Sequence, residues 1–259
     1  MRGAVHVLWP GAAIHQRLTE PARASGHLKK RRSSKPTQSG RVRGEGVLVV
    51  VPHCDDEVLG FGGAIQKHKL RGDHVTVLFL RQSHNARTRK QDSVAPKAQK
   101  ILGYDQSIYL GIKEEELGVM GPHTLRKVET VIGELAPTVV YTTFLGDIHQ
   151  DHAGTFRAVR MATRVLKLPK VKQILLGEIP SSTSQRIPTD PSFRPNHYEI
   201  LTQSQVMKKA KALDVYAGEE NAWPHPRSHK GIFVQAEYRG MEIGRNFAEA
   251  FLLLRRIQD

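Results

Sequence analysis

Cysteine is almost absent from this chain: Cys54 is the only one among 259 residues. That excludes an internal disulfide framework and suits a reducing, cytoplasmic compartment. No apolar run approaches the roughly 20 residues that cross a bilayer as a helix, so no membrane span is expected. Aromatic residues are sparse, at 6%. Within residues 1–45 the sole aromatic is Trp9, which argues against an arm that stacks on exposed bases. Acids are scarce there too. Residues 1–46 carry ten Lys and Arg against Glu20 and Glu45, a local +8 of the net +14, which leaves +6 for the other 213 residues.

Residues 1–45 are rich in Arg, Lys, Ser and Gly and show no sustained periodicity, so they read as a disordered basic tail. A secretory signal does not fit, because no apolar core of about 7–15 residues follows the basic positions. An organelle transit peptide fits the acid-poor composition only weakly, and Lys29-Lys30-Arg31-Arg32 would suit a nucleic-acid-binding arm. A solvated tail, or residues translated from a start codon upstream of the true one, ranks above all three. No nucleic-acid binding is expected of the folded part.

From Gly46 the pattern alternates. Strands are predicted at 46–52, 74–80, 107–110, 138–143 and 171–176, with helices at 57–71, 90–102, 123–135 and 152–167 between and after them. Short links between alternating elements mean βαβ units. The expectation is therefore an α/β domain over 46–259 with a three-layer Rossmann-like fold, its mostly parallel sheet flanked by helices. After 177 the prolines Pro180, Pro188, Pro191 and Pro195 mark an irregular excursion. A helix at 202–216, a loop at 218–229 and helical material over 230–256 complete the reading. The apolar run Phe247–Ile257 suits burial in its own core, with a homo-oligomer contact as the alternative.

Two polar clusters stand where buried strands run out. Pro52-His53-Cys54-Asp55-Asp56-Glu57 follows Val47–Val51, and His149-Gln150-Asp151-His152 follows Thr138–Thr142. Ligands of open α/β sheets sit outside the carboxyl ends of the strands, so both clusters can serve one site. His53 and Asp56, three apart at one turn, with His152 from the other, make a two-imidazole, one-carboxylate set that suits Zn2+ or another divalent metal. Such an ion brings water to a pKa near 7. Asp55 is then placed to act as general base, and His149 to stabilise an oxyanion or protonate a leaving amine. Asp147 and Asp151 are candidates to orient the imidazoles. Two plainer readings compete. Asp55 and Asp56 could simply cap a helix, and Cys54 could be a thiolate nucleophile with His53 or His149 as base. Against the thiolate, alternation along an extended turn points Cys54 away from its neighbours.

Pro-His-x-Asp-Asp-Glu at 52–57, with Gly60 and Gly62-Gly63 after it, resembles the LmbE-like, or PIG-L, deacetylases. Gly146-Asp-Ile-His-Gln-Asp-His152 looks like the second metal motif of that family. The similarity extends to His225-Pro-Arg-Ser228 and to the stretch from Tyr238 through Phe251. It implies zinc held by His53, Asp56 and His152, with Asp55 as base and His149 at the oxyanion. It also implies hydrolysis of an acetyl group from an N-acetylglucosamine-type conjugate. This chain departs from the family pattern where Cys54 replaces the usual proline, and in the loop Ser83–Asp92, where Arg87 is the candidate substrate contact. Glu178, His225 and Arg227 are further candidates for binding the sugar. Two other functions stay open: a tail-mediated binder of nucleic acid or anionic surfaces, and a metallo-hydrolase of a different bond. A phosphoesterase would favour two metals, whereas these residues assemble ligands for one.

Overall fold

In the computed structural model, which describes residues 44–258 except 82, 84, 169, 186, 188, 190 and 217–221, the run Gly46–Val51 forms strand β1 and is buried from Val47 onward. The basic tail expected over 1–45 lies outside the described residues but for its last two positions. β1 pairs in parallel with β2 (His74–Arg81) on one side and β4 (Val139–Thr143) on the other. β3 (Gln106–Ile112) extends the sheet beyond β2, and β5 (Gln173–Gly177) beyond β4, both in parallel. Two antiparallel strands, β7 (Ala248–Arg256) and β6 (His197–Ile200), finish it in the order β3-β2-β1-β4-β5-β7-β6. The result is the mostly parallel α/β sheet expected.

Because side chains alternate across a strand, the unbroken apolar run of β1 feeds two cores. Val47, Val49 and Val51 pack with α1 (Asp56–Arg71), α2 (Ala86–Leu102), α6 (Gln203–Leu213) and α7 (His229–Met241). Leu48 and Val50 pack with the short α3 (Glu114–Leu117), α4 (Pro122–Leu135) and α5 (Gln150–Ala162). Helices on both faces give three layers. Two glycines set how closely the layers meet. A Cβ on Gly63 would lie 2.6 Å from Leu201 Cδ1, and one on Gly154 would lie 2.1 Å from the Leu117 carbonyl oxygen. Glycine at 154 thus lets α5, which carries half of the site described below, press against α3.

The structure corrects the C-terminal reading. In place of helical material over 230–256 there is α7 followed by β7. Ala-Glu-Ala-Phe-Leu-Leu-Leu has no turn residue and no β-branched residue, so periodicity could not separate strand from helix. Open strand edges on both sides decide the matter: Leu175 of β5 and His197 of β6 pair with Leu253 and Phe251. The apolar run is therefore largely taken up by its own sheet. β6 and α3 were missed because each is only 4 residues long. α2 begins at Ala86 rather than near 90, because Asn85 and Thr88 cap each other reciprocally.

Candidate active site

β1 and β4 are neighbours in the sheet, yet the chain leaves them in opposite directions, from β1 through α1 to β2 and from β4 through α5 to β5. This is a topological switch point, where the loops that follow two adjacent strands part and leave a crevice. The two polar clusters stand in those loops. The centroid of the His53 ring lies 4.7 Å from that of His149 and 5.5 Å from that of His152.

His53 sits between two carboxylates, with Nδ1 3.0 Å from Asp56 Oδ2 and Nε2 2.9 Å from Asp151 Oδ2. His152 places Nε2 3.3 Å from the same Asp56 oxygen and Nδ1 3.0 Å from Asp147 Oδ2. Asp147 is itself fixed: Ser182 Oγ and Thr183 Oγ1 donate to Oδ2 at 2.8 and 2.6 Å, and the His149 amide donates to Oδ1 at 2.8 Å. One ligand atom from each of His53, Asp56 and His152 can be chosen so that all three lie within 4.8 Å of one another. Both ring nitrogens of His152 are buried, and neither makes a well-formed hydrogen bond to a described residue, although Asp56 and Asp147 lie within ion-pair distance. A buried imidazole whose two nitrogens face carboxylates without a well-formed hydrogen bond suits a cation ligand. These residues therefore suit a divalent metal. His53, His149 and Asp151 form a second group of the same composition.

The electrostatics are those of crowded imidazoles and carboxylates. Burial alone lowers the pKa of His152, but Asp56 and Asp147 outweigh it and carry the ring up to about 10. His53 is likewise raised, Asp56 and Asp151 overcoming its burial. Burial opposes ionisation of Asp56, yet the charges of His152 and His53 hold it well below the usual carboxylate range. His149 moves the other way: burial, then His53 and His152, all lower it and favour the neutral ring. Its Nδ1 accepts the Asp151 amide hydrogen at 3.3 Å, which leaves Nε2 to carry the proton.

Asp55 occupies the N-cap position of α1 but makes no side-chain cap bond. Its backbone has φ 120, a region that costs a non-glycine residue about 1–3 kcal/mol. Its carboxylate instead receives Arg227 Nη1 at 2.9 Å, and Arg227 Nε donates to Ser181 Oγ at 2.8 Å. Simple helix capping thus does not account for Asp55. Cys54 is buried in the core with Sγ 3.1 Å from Asp92 Oδ1, and burial with nearby carboxylates pushes its thiol far up. The thiolate route has no support here.

A cavity of about 290 Å³ opens over the cluster, walled by His53, Asp55, His149 and His152. Arg227 lines it too, whereas the side chain of Arg87 lies outside the described residues. His225 is not among the lining residues; its Nδ1 accepts the Arg227 amide hydrogen at 3.1 Å. Glu178 faces elsewhere, held by Arg239 through Nε and Nη2 and by Gln235, each at 2.7 Å. Sequence reasoning missed Arg81, Asn85, Thr88, Gln91 and Glu114, which complete the lining among the described residues. Arg81 ends β2 at the same carboxyl edge of the sheet, so the strand-end rule could have found it. The others come from α2, its N-cap residue Asn85 and α3, whose approach no motif signals.

The family model described as PIG-L, GlcNAc-PI de-N-acetylase matches residues 48–163. A relative from Bacillus anthracis, described as probable N-acetyl-alpha-D-glucosaminyl L-malate deacetylase 2, is 26% identical over 188 residues, covering 67% of this chain and 80% of that protein. A conserved protein from Thermus thermophilus shares the fold with a TM-score of 0.67 at 22% identity, over 83% of this chain and 97% of that one. N,N'-diacetylchitobiose deacetylase from Pyrococcus horikoshii does so with a TM-score of 0.66 at 17% identity, over 81% and 83% of the two chains. At these identities the two structures speak to the fold alone. The matched segment runs from within β1 to just past α5 and contains both histidine turns, so this part of the chain is similar to the PIG-L family model.

Proposed function

We propose that this protein is a metal-dependent hydrolase that removes the acetyl group from an N-acetylated sugar conjugate, acting in the cytoplasm. The observation that carries the reading is the convergence of His53, Asp56 and His152, with Asp55 and His149 on the wall of the same cavity. The deacetylase described from Bacillus anthracis supports the reaction class. Zn2+ suits the two-imidazole, one-carboxylate set, which would hold it through those three side chains. The chemistry such an ion supplies when bound is Lewis acidity, which acidifies water and polarises an amide carbonyl.

The remaining steps belong to the chain. Asp55 takes a proton from the attacking water as the water oxygen bonds to the acetyl carbon. His149, neutral, offers Nε2–H to the oxyanion that develops as that carbon becomes tetrahedral. Asp147 orients His152 and Asp151 orients His53. The proton held by Asp55 then passes to the nitrogen as the C–N bond breaks, and acetate and a free amine leave. Arg81 and Arg227 suit hydroxyls or an acidic group on the rest of the conjugate.

A panel of N-acetylglucosamine conjugates tests this directly. Amine release is expected from at least one member, should stop when a chelator strips the metal, and should return when zinc is added back. Release that survives full metal removal, or none from any conjugate, removes the proposal. A second expectation concerns pH. In the metal-free site His152 stays protonated until about pH 10, so metal uptake near neutrality must expel a proton. Apparent zinc affinity should therefore rise with pH. Calorimetry in buffers of different ionisation enthalpy should register the released proton; heats independent of the buffer would contradict it.

A further inference from the structure

We infer that Glu57 is a positioning residue: its buried carboxyl group, anchored by Tyr216, holds the backbone of Asp55 in the positive-φ conformation that turns the Asp55 side chain to the cavity. Glu57 is 0% exposed. Its Oε2 accepts the Asp55 amide hydrogen at 2.9 Å, and its Oε1 accepts the Tyr216 hydroxyl at 2.5 Å. Tyr216 lies 159 residues away in sequence, just after α6, and is buried as well. Burying a carboxyl group where an apolar side chain would pack is unfavourable unless its bonds serve something.

Helix capping alone does not explain the arrangement. In a capping box the residue at N3 reaches back to the N-cap amide, and N3 of α1 is Val58. Glu57 stands one position earlier and reaches an amide whose residue has φ 120. Asp55 is thereby held at three points. Glu57 has its amide, the amides of Val58 and Leu59 have its carbonyl at 3.0 and 2.9 Å, and Arg227 has its carboxylate. Release of the first leaves its unusual backbone free to relax.

The kinetic part of this inference rests on Asp55 being the base; the structural part does not. Crystal structures and steady-state kinetics of the wild type, Glu57→Asp and Glu57→Gln test both. Glu57→Asp keeps the carboxyl group but falls one methylene short of the Asp55 amide. Its Asp55 φ is expected to leave the positive region, and kcat to fall about a hundredfold with KM and zinc content little changed, the effect expected of a misplacement near 1 Å. Glu57→Gln keeps an acceptor for the Asp55 amide and a donor for the Tyr216 oxygen, and should restore most of kcat. An Asp55 backbone unmoved in Glu57→Asp overturns the inference, as does a Gln variant that falls as far as the Asp variant. Should Glu57→Asp fail to fold, Tyr216→Phe takes its place and must show the same backbone change and the same split between kcat and KM. A backbone that relaxes while kcat stays at the wild-type value supports the positioning and sinks the base assignment instead.

Discussion

Asp55→Asn protein is expected to lose about 10²–10⁴ in kcat, the usual contribution of a general base, while holding zinc as tightly as the wild type. The substitution keeps the size of the side chain and an oxygen for Arg227 Nη1, now 2.9 Å from the carboxylate. It leaves the backbone under the same restraints, since Glu57 contacts the Asp55 amide and not its side chain. What disappears is basicity. Metal content by mass spectrometry, a thermal melt and amine release separate this outcome from misfolding or metal loss. An Asn variant within tenfold of the wild type would remove Asp55 from the mechanism.

His152→Ala should have the largest effect on the metal, because it deletes a buried imidazole that stands with His53 and Asp56 in the three-residue ligand group. Asp147→Asn offers the scale. Asp147 touches only the far nitrogen of that ring, and loss of such a partner lowers metal affinity by about 10–100-fold. His152→Ala is expected to exceed that, as measured by competition with a chromophoric chelator. The metal-free protein should also suffer. There His152 is the cation between Asp56 and Asp147, at 3.3 and 3.0 Å, and removing one partner of a buried charge set costs about 3–5 kcal/mol. Chemical denaturation in the presence of chelator reads that term alone. Zinc affinity lower in Asp147→Asn than in His152→Ala would refute the division into ligand and support.

Much of this site was legible in one dimension. The run Val47–Val51 announces a strand buried on both faces, and the polar residues after it must then stand at its carboxyl end. The same holds for Thr138–Thr142 and the turn at 147–152. Three-residue spacing in both turns, and the choice of imidazole and carboxylate, point to a cation. The substrate side was far less legible. Arg227 answers to a motif, but its partner Asp55 is 172 residues away, and nothing local says that it meets a carboxylate there. Glu178 has the chemistry of a sugar contact, yet Arg239 holds both of its oxygens. Glu57 looked like the last letter of a motif until Tyr216 was found against it. At the C-terminus, Ala248–Leu254 has no local preference strong enough to choose strand over helix.

Residue types and their spacing along the chain determined the α/β class, the two turns and the chemical character of the centre, because each depends on contacts within a few residues. Only the tertiary structure decided that β1 and β4 are neighbours at a switch point, that β7 is a strand between β5 and β6, and that Arg227 and Tyr216 reach the motif. Those outcomes depend on pairings across 48 to 172 residues. They follow from which edges and faces remain open once the local elements have formed, and local sequence carries no record of that.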